Sequence, residues 1–171
     1  MATAILRAVI GLLFIGHGLQ KLKGWFGGHG LEGTGQFFES IGLRPGKRHA
    51  TAAGITETAG GAALALGLLT PIAAAGLTGT MATAVKTVHL PNGPWVADGG
   101  WEYNAVLAAA LFTIAESGPG RLSLDHAIGT KLSGPVVALA QLAAGIGGAY
   151  VILESVEEAS QTVASAPADV R

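Results

Sequence analysis

The 171-residue chain has no cysteine and little charge: 10 Lys plus Arg and 11 Asp plus Glu, together 12% of its residues. Without cysteine there is no disulfide framework, no thiol nucleophile and no thiolate-held iron–sulfur cluster. A formal net charge of −1 excludes a basic surface for nucleic acid. Charged residues make up roughly a quarter of an ordinary soluble domain, and this chain has about half that share. Familiar catalytic signatures are also missing. There is no G-x-G-x-x-G in a strand–helix setting, no P-loop, no H-E-x-x-H and no nucleophile elbow. What is present is apolar: half of the residues are hydrophobic, 27 are glycine, and mean hydropathy is +0.50. Size allows one domain, and the composition points to an all-α polytopic membrane protein.

Crossing a hydrocarbon core takes about 20 mostly apolar helical residues, and five stretches approach that length. They are Ala4–Leu22, Ala50–Leu69, Pro71–Leu90, the shorter Glu102–Glu116, and Pro135–Leu153. The spans are rich in Ala and Gly rather than Leu and Phe. Small residues let membrane helices approach closely, and Gly54-x-x-x-Thr58 and Ala144-x-x-x-Gly148 fit that use. The first span has no basic leader and no cleavage site after it, which argues against a signal peptide.

Alternating spans assign every connection to one of two faces. Face A holds the loop 23–49, the loop 91–101 and the tail after Leu153. Face B holds the N-terminus, the Thr70-Pro71 turn and the loop 117–134. Trp25, Trp95, Trp101 and Tyr103, with Tyr150, fall on or near face A and read as an interfacial belt. Residues 34–41 predict a short interfacial helix capped by Thr34 and stopped at Gly42. Lys21, Lys23, Arg44, Lys47 and Arg48 flank face A, against Arg7, Arg121 and Lys131 on face B, so the positive-inside bias places face A in the cytoplasm.

An ionisable group at membrane depth costs about 2.5–3.5 kcal/mol on insertion scales and marks a functional hypothesis. At 1.5 Å per residue, His17 lies roughly 8–9 Å inside face A, Lys21 about 2–3 Å, Glu57 roughly 10–12 Å and Lys86 about 6 Å, with His89 and Glu102 at the boundary. These six residues from four spans form the expected polar or ligand-binding cluster, with Glu57 paired to Lys21 or Lys86. The same arrangement would also serve only to lock the bundle, since breaking a buried pair is costly whatever its role. On face B, Arg7 is expected to form a structural ion pair with Glu116 or Asp125, and Ser123 or Asp125 to cap a short helix. No ligand spacing supports a metal, and a haem between His17 and His89 is disfavoured.

Five motifs, in order along the chain, resemble the DoxX family of membrane proteins. They are His17-Gly-Leu-Gln-Lys21, Glu57-Thr-Ala-Gly-Gly, Lys86-Thr-Val-His89, Asp98-Gly-Gly-Trp-Glu-Tyr-Asn104 and Gly118-Pro-Gly-Arg-Leu-Ser-Leu-Asp125. The resemblance covers residues 5–125. It implies a four-helix transmembrane bundle and a redox association, since members include the small subunit of a thiosulfate:quinone oxidoreductase and a mycobacterial protein linked to thiol-redox and superoxide-detoxifying partners. By resemblance, His17, Lys21, Glu57, Lys86, His89 and Glu102 are the positions that matter.

The expected organisation is therefore a DoxX-like domain over 1–130, an additional helix over 131–154 ending at Glu154, and an acidic flexible tail over 155–171 (Glu157, Glu158 and Asp169). The expected function is a redox-associated, quinone-interacting subunit of a bacterial inner membrane. No cofactor is encoded, and no catalytic residue can be named. Electrons would come from a quinone or from partner redox proteins in a complex. The alternative is a noncatalytic accessory subunit of a larger membrane assembly.

Overall fold

A computed structural model describes residues 1–130 and 132–165, with the side chains of 159, 160 and 162–165 outside the description. Lys131 and Asp169 therefore lie outside the described residues. All of the regular structure described is helical: α1 (Ala2–Lys23), α2 (Gly30–Ser40), α3 (Gly46–Leu66), α4 (Thr70–Ala84), α5 (Glu102–Ser117), α6 (Leu124–Ala127) and α7 (Pro135–Ser165), joined by short 3-10 turns. A π-helical segment, Val85–His89, carries α4 on toward face A.

Local chemistry sets the ends of these helices. Gly24 adopts φ 72° and closes α1 with its N–H on the Gln20 carbonyl. Gly67, at φ 64°, closes α3 with its N–H on the Leu64 carbonyl, 3.0 Å away. Glycine reaches this left-handed region without steric cost, and so it often follows a last helical turn. Four residues later Pro71 stands in the first turn of α4, where its missing N–H costs nothing. The interfacial helix starts earlier than the sequence suggests. His29 precedes α2, while Thr34 is a buried residue within it rather than its cap. Ser123 does cap α6, accepting from the His126 N–H at 3.1 Å.

The core draws on four helices: Ile10 and Phe14 from α1, Leu64 from α3, Ala73, Ala74, Leu77 and Met81 from α4, and Leu107, Leu111 and Ile114 from α5. The four-helix bundle and its fifth partner are thus distinct layers. α7 lies against α4 and α5, burying Ala138, Gln141, Gly145 and Ala149. Gly145 sits against the Ala75 carbonyl and the Thr78 side chain, leaving no room for a Cβ. The expected pair Ala144 and Gly148 points away from the bundle, and Gly148 faces open space. A four-residue spacing identifies a face without saying which side of the helix meets protein. Gly54 and Thr58 do lie in a helix interface, against Gly18 of α1.

Around this core runs an apolar surface that includes Ile5, Leu12, Ile55, Ile72, Val106, Leu139 and Ile146, all exposed. A water-soluble domain rarely presents so much contiguous apolar area; a bilayer solvates it. Ala2–Lys23 and Pro135–Glu158 are long and apolar enough to cross on their own. The remaining spans are shorter or begin on charge: α5 has 16 residues and α3 opens with Lys47, Arg48 and His49. Residues 155–165, expected within a flexible tail, continue α7 as helix to Ser165.

Candidate functional site

Close approach of α1 and α3 creates the site. A Cβ on Gly11 would collide with the Gly61 carbonyl and Ala65, and one on Gly18 with Thr58 and the Gly54 carbonyl. Glycine on both sides lets the two backbones meet along most of their length. At the face A end of this seam, Lys21 Nζ reaches Glu57 Oε2 at 2.7 Å, with side-chain exposures of 23% and 4%. Lys21 Nζ also stands 3.5 Å from the His17 carbonyl oxygen. The ammonium is thus partly exposed while the carboxylate is inside the protein. Such a pair strengthens as water is excluded, but the same exclusion makes each partner costly without the other.

His17, one turn before Lys21, shares its helix face. Its Nδ1 lies 3.1 Å from Gln20 Oε1, and its ring is 6.3 Å from that of Tyr103 at an interplanar angle of 59°. Tyr103 opens α5, so three helices contribute: α1 with His17 and Lys21, α3 with Glu57, and α5 with Tyr103. Within this group the acid is consumed by the lysine, while the imidazole Nε2 and the phenol hydroxyl have no hydrogen-bond partner among the described residues. A neutral imidazole can accept through one nitrogen and a phenol can donate. These atoms suit a small polar headgroup entering from the interface.

The other three expected members are placed differently. Lys86 is exposed, and the ion pairs among the described residues are Lys21–Glu57 and Lys47–Glu32. Lys86 therefore does not neutralise Glu57. His89 Nδ1 is 2.7 Å from the Gly99 carbonyl oxygen, and Glu102 Oε1 accepts the Val96 N–H at 2.8 Å. Both side chains tie down the 90–101 loop instead of entering the cluster. Val85–His89 is π-helical rather than α-helical, and its wider turn changes which residues share a face. Among the described residues no group of three or more His, Asp or Glu could hold a metal ion. Trp25 and Trp95 are exposed and Trp101 is half-buried, and all three lie on the face A segments.

On face B the expected ion pair is replaced by two separate backbone caps. Arg7, 1% exposed, donates through Nη1 to the carbonyls of Leu64 (3.1 Å) and Ala65 (3.0 Å) and through Nη2 to that of Leu122. It thereby covers the carbonyl-rich end of α3, where cations are favoured. Asp125, also 1% exposed, accepts from the Leu69 N–H (2.8 Å), the Thr70 N–H (2.9 Å) and the Thr70 hydroxyl (2.7 Å). It covers the donor-rich start of α4. Neither Asp125 nor Glu116 lies within salt-bridge distance of Arg7, and Glu116 is exposed. Unpaired main-chain groups at helix ends are invisible in a charge count, so residue pairing by sign alone misses such caps.

Gln20, Asn104 and Thr78 also make polar contacts that the sequence does not single out. Asn104 is 6% exposed with its amide 3.5 Å from Met81 Sδ. Thr78 donates to Gln141 Oε1 at 3.3 Å across α4 and α7. A polar residue within an apolar span was the available signal, and it applied to Gln141 and Asn104 equally.

The geometry can be set beside known proteins. A family model described as DoxX matches residues 2–90, a stretch containing His17, Lys21 and Glu57 with α1, α3 and α4. A Bacillus subtilis (strain 168) protein named "Putative oxidoreductase CatD" is 34% identical over 125 residues, which is 73% of this chain and 85% of that protein. No solved structure matches. The family model spans more than half of the chain and the bacterial relative most of it, and the helices they cover are those that bring the lysine and the buried acid together: the chain belongs to the DoxX family of membrane proteins.

Proposed function

We propose that the protein is a redox-associated subunit of a bacterial inner membrane, and that the α1–α3–α5 site receives the headgroup of a quinone. The observation that carries this reading is the 2.7 Å Lys21–Glu57 pair, with Glu57 only 4% exposed, directly beside an imidazole whose Nε2 is unpartnered. A relative named as an oxidoreductase agrees with it. The chain encodes no redox centre of its own, so a bound quinone would supply the electron chemistry. The chain's residues would do the rest: His17 exchanges a proton at Nε2, Tyr103 donates a hydrogen bond from its hydroxyl, and the Lys21 ammonium offsets negative charge near the mouth. Glu57 holds Lys21 in place from beneath. The surrounding aromatic side chains border the entrance at headgroup level.

The test is binding of a short-chain ubiquinol, under anaerobic conditions, by purified protein in nanodiscs, followed by calorimetry. His17→Ala and Glu57→Gln together are expected to weaken binding at least tenfold, which corresponds to about 1.4 kcal/mol. Wild-type affinity in that double variant would overturn the reading.

A second reading, a noncatalytic accessory subunit, is favoured by the outer face of α7. There Ala144 is exposed and Gly147 and Gly148 have nothing within 4 Å, a surface on which another membrane helix could pack closely. Mild solubilisation and native purification distinguish the two. Recovery of a stoichiometric membrane partner with no quinone binding favours the accessory role.

A further inference from the structure

We infer that Gln20 is a positioning residue that fixes the tautomer of His17, placing the proton on Nδ1 and leaving Nε2 as a hydrogen-bond acceptor toward the ligand. The inference rests on the site assignment above. Its own evidence is the chain of contacts behind the imidazole. Gln20 Nε2 lies 3.1 Å from the Phe26 carbonyl oxygen, and a carbonyl oxygen can only accept. The amide nitrogen must therefore face Phe26 and the amide oxygen must face His17. That oxygen stands 3.1 Å from His17 Nδ1, and it too can only accept. The hydrogen bond requires the proton on Nδ1, which in the neutral ring leaves a lone pair on Nε2.

The loop that presents the Phe26 carbonyl is built for that purpose at some cost. Phe26 adopts φ 53°, ψ 37°, a left-handed conformation that is sterically unfavourable for a non-glycine residue. Gly24 and Gly27 on either side have φ 72° and 77°. Gly28 lies directly against the Gln20 backbone, where a side chain would collide. The exposed Phe26 ring gains little from internal packing that would offset the strain. What the conformation does achieve is the carbonyl's direction. Strain of this kind persists where the surroundings over-determine it, and here Gln20 is the group it serves.

A histidine side chain free in water favours the opposite tautomer, with the proton on Nε2. The consequence for recognition follows from that contrast. An acceptor at Nε2 receives a hydroxyl, as in the reduced, quinol form of a headgroup, and repels the lone pairs of a bare carbonyl.

Nitrogen-15 NMR of histidine-labelled full-length protein in nanodiscs, at a pH where the ring is neutral, tests this. His17 is assigned by loss of its signals in His17→Ala. Wild type is expected to show a pyrrole-type Nδ1 and a pyridine-type Nε2. Gln20→Leu is expected to invert the two, and Gln20→Glu, which keeps an acceptor oxygen, to restore them. Short-chain ubiquinol under anaerobic conditions is expected to move the wild-type Nε2 resonance more than the matching ubiquinone does. An unchanged tautomer in Gln20→Leu, or equal shifts from the two forms, would overturn the inference. If neither form moves the resonance while the tautomer inverts as expected, the headgroup reading fails and the role of Gln20 stands.

Discussion

Lys21 and Glu57 are unequal partners, because their burial differs. Removing the ammonium with Lys21→Met strands a carboxylate that is 4% exposed, and breaking a buried pair in this way costs about 3–5 kcal/mol. Glu57→Gln leaves a lysine that is 23% exposed and able to extend its stem toward the headgroups. The remaining amide can still accept from it, so a smaller loss of about 1–2 kcal/mol is expected. Reversible unfolding in detergent micelles should show that order, and the double variant should be more stable than the sum of the two losses predicts. Equal losses, or strict additivity, would mean that the two groups do not depend on each other. On face B, Asp125→Ala removes the acceptor for two main-chain donors and one hydroxyl. Each orphaned donor costs about 1–3 kcal/mol. A fall in the midpoint of thermal unfolding, with quinone binding retained by the folded fraction, is the expected result; unchanged stability would show that the cap contributes nothing.

Among the elements, α7 gives the sharpest contrast. Gly145 is locked against Ala75 and Thr78, while Gly148 faces open space three residues further on. Gly145→Val should force α7 off α4 at a cost of about 1–3 kcal/mol, while Gly148→Val should leave stability unchanged. Thermal unfolding of the two variants side by side checks this, and similar losses from both would place the packing face elsewhere. The same helix shows how far sequence can be read. Its presence and its start at Pro135 follow from hydropathy, and Gln141 stood out as the polar residue of an apolar span. Its buried face did not follow, because Ala144/Gly148 and Gln141/Gly145 have the same spacing and differ only in what lies opposite. Nor did its length, since residues 154–165 carry acids that end an apolar stretch without ending a helix. In the π-helical segment after α4, the presence of Lys86 and His89 at the end of an apolar stretch was legible, but the direction of their side chains was not. Their π-helical turn depends on the main chain, and the carbonyl that engages His89 is that of Gly99, which only the fold of the loop brings back to it.

For the whole molecule, hydropathy alone conveyed an all-helical membrane fold, and the glycine content conveyed close packing. The seam of α1 and α3 and the pairing of Lys21 with Glu57 were within reach because both groups lie at computable depths on regular helices. The backbone caps made by Arg7 and Asp125 were not, because main-chain donors and acceptors at helix ends carry no residue letter. A five-span arrangement would place the N-terminus and the end of α7 on opposite sides of the membrane. The cysteine-free chain allows a direct check: single cysteines at Thr3 and at Gln161 should react with an impermeant maleimide from opposite sides of sealed vesicles. Labelling from one side would remove a span.

The central claim concerns place, namely that a quinone headgroup meets the chain at His17, Lys21 and Tyr103. The lipid-facing surface offers an obvious competitor, a cavity of about 250 Å³ between α3 and α4 lined by Thr56, Gly60, Ala63, Ile72 and Gly76 among others, whose walls are apolar and small. Photolabelling of the nanodisc-embedded protein with an azido-quinone carrying a short isoprenoid tail, followed by peptide mapping, separates the two. The account predicts label on residues 17–21 and at Tyr103, competed by unmodified quinone and lost in the His17→Ala, Glu57→Gln double variant. Label confined to the α3–α4 groove, unaffected by that variant, would contradict it.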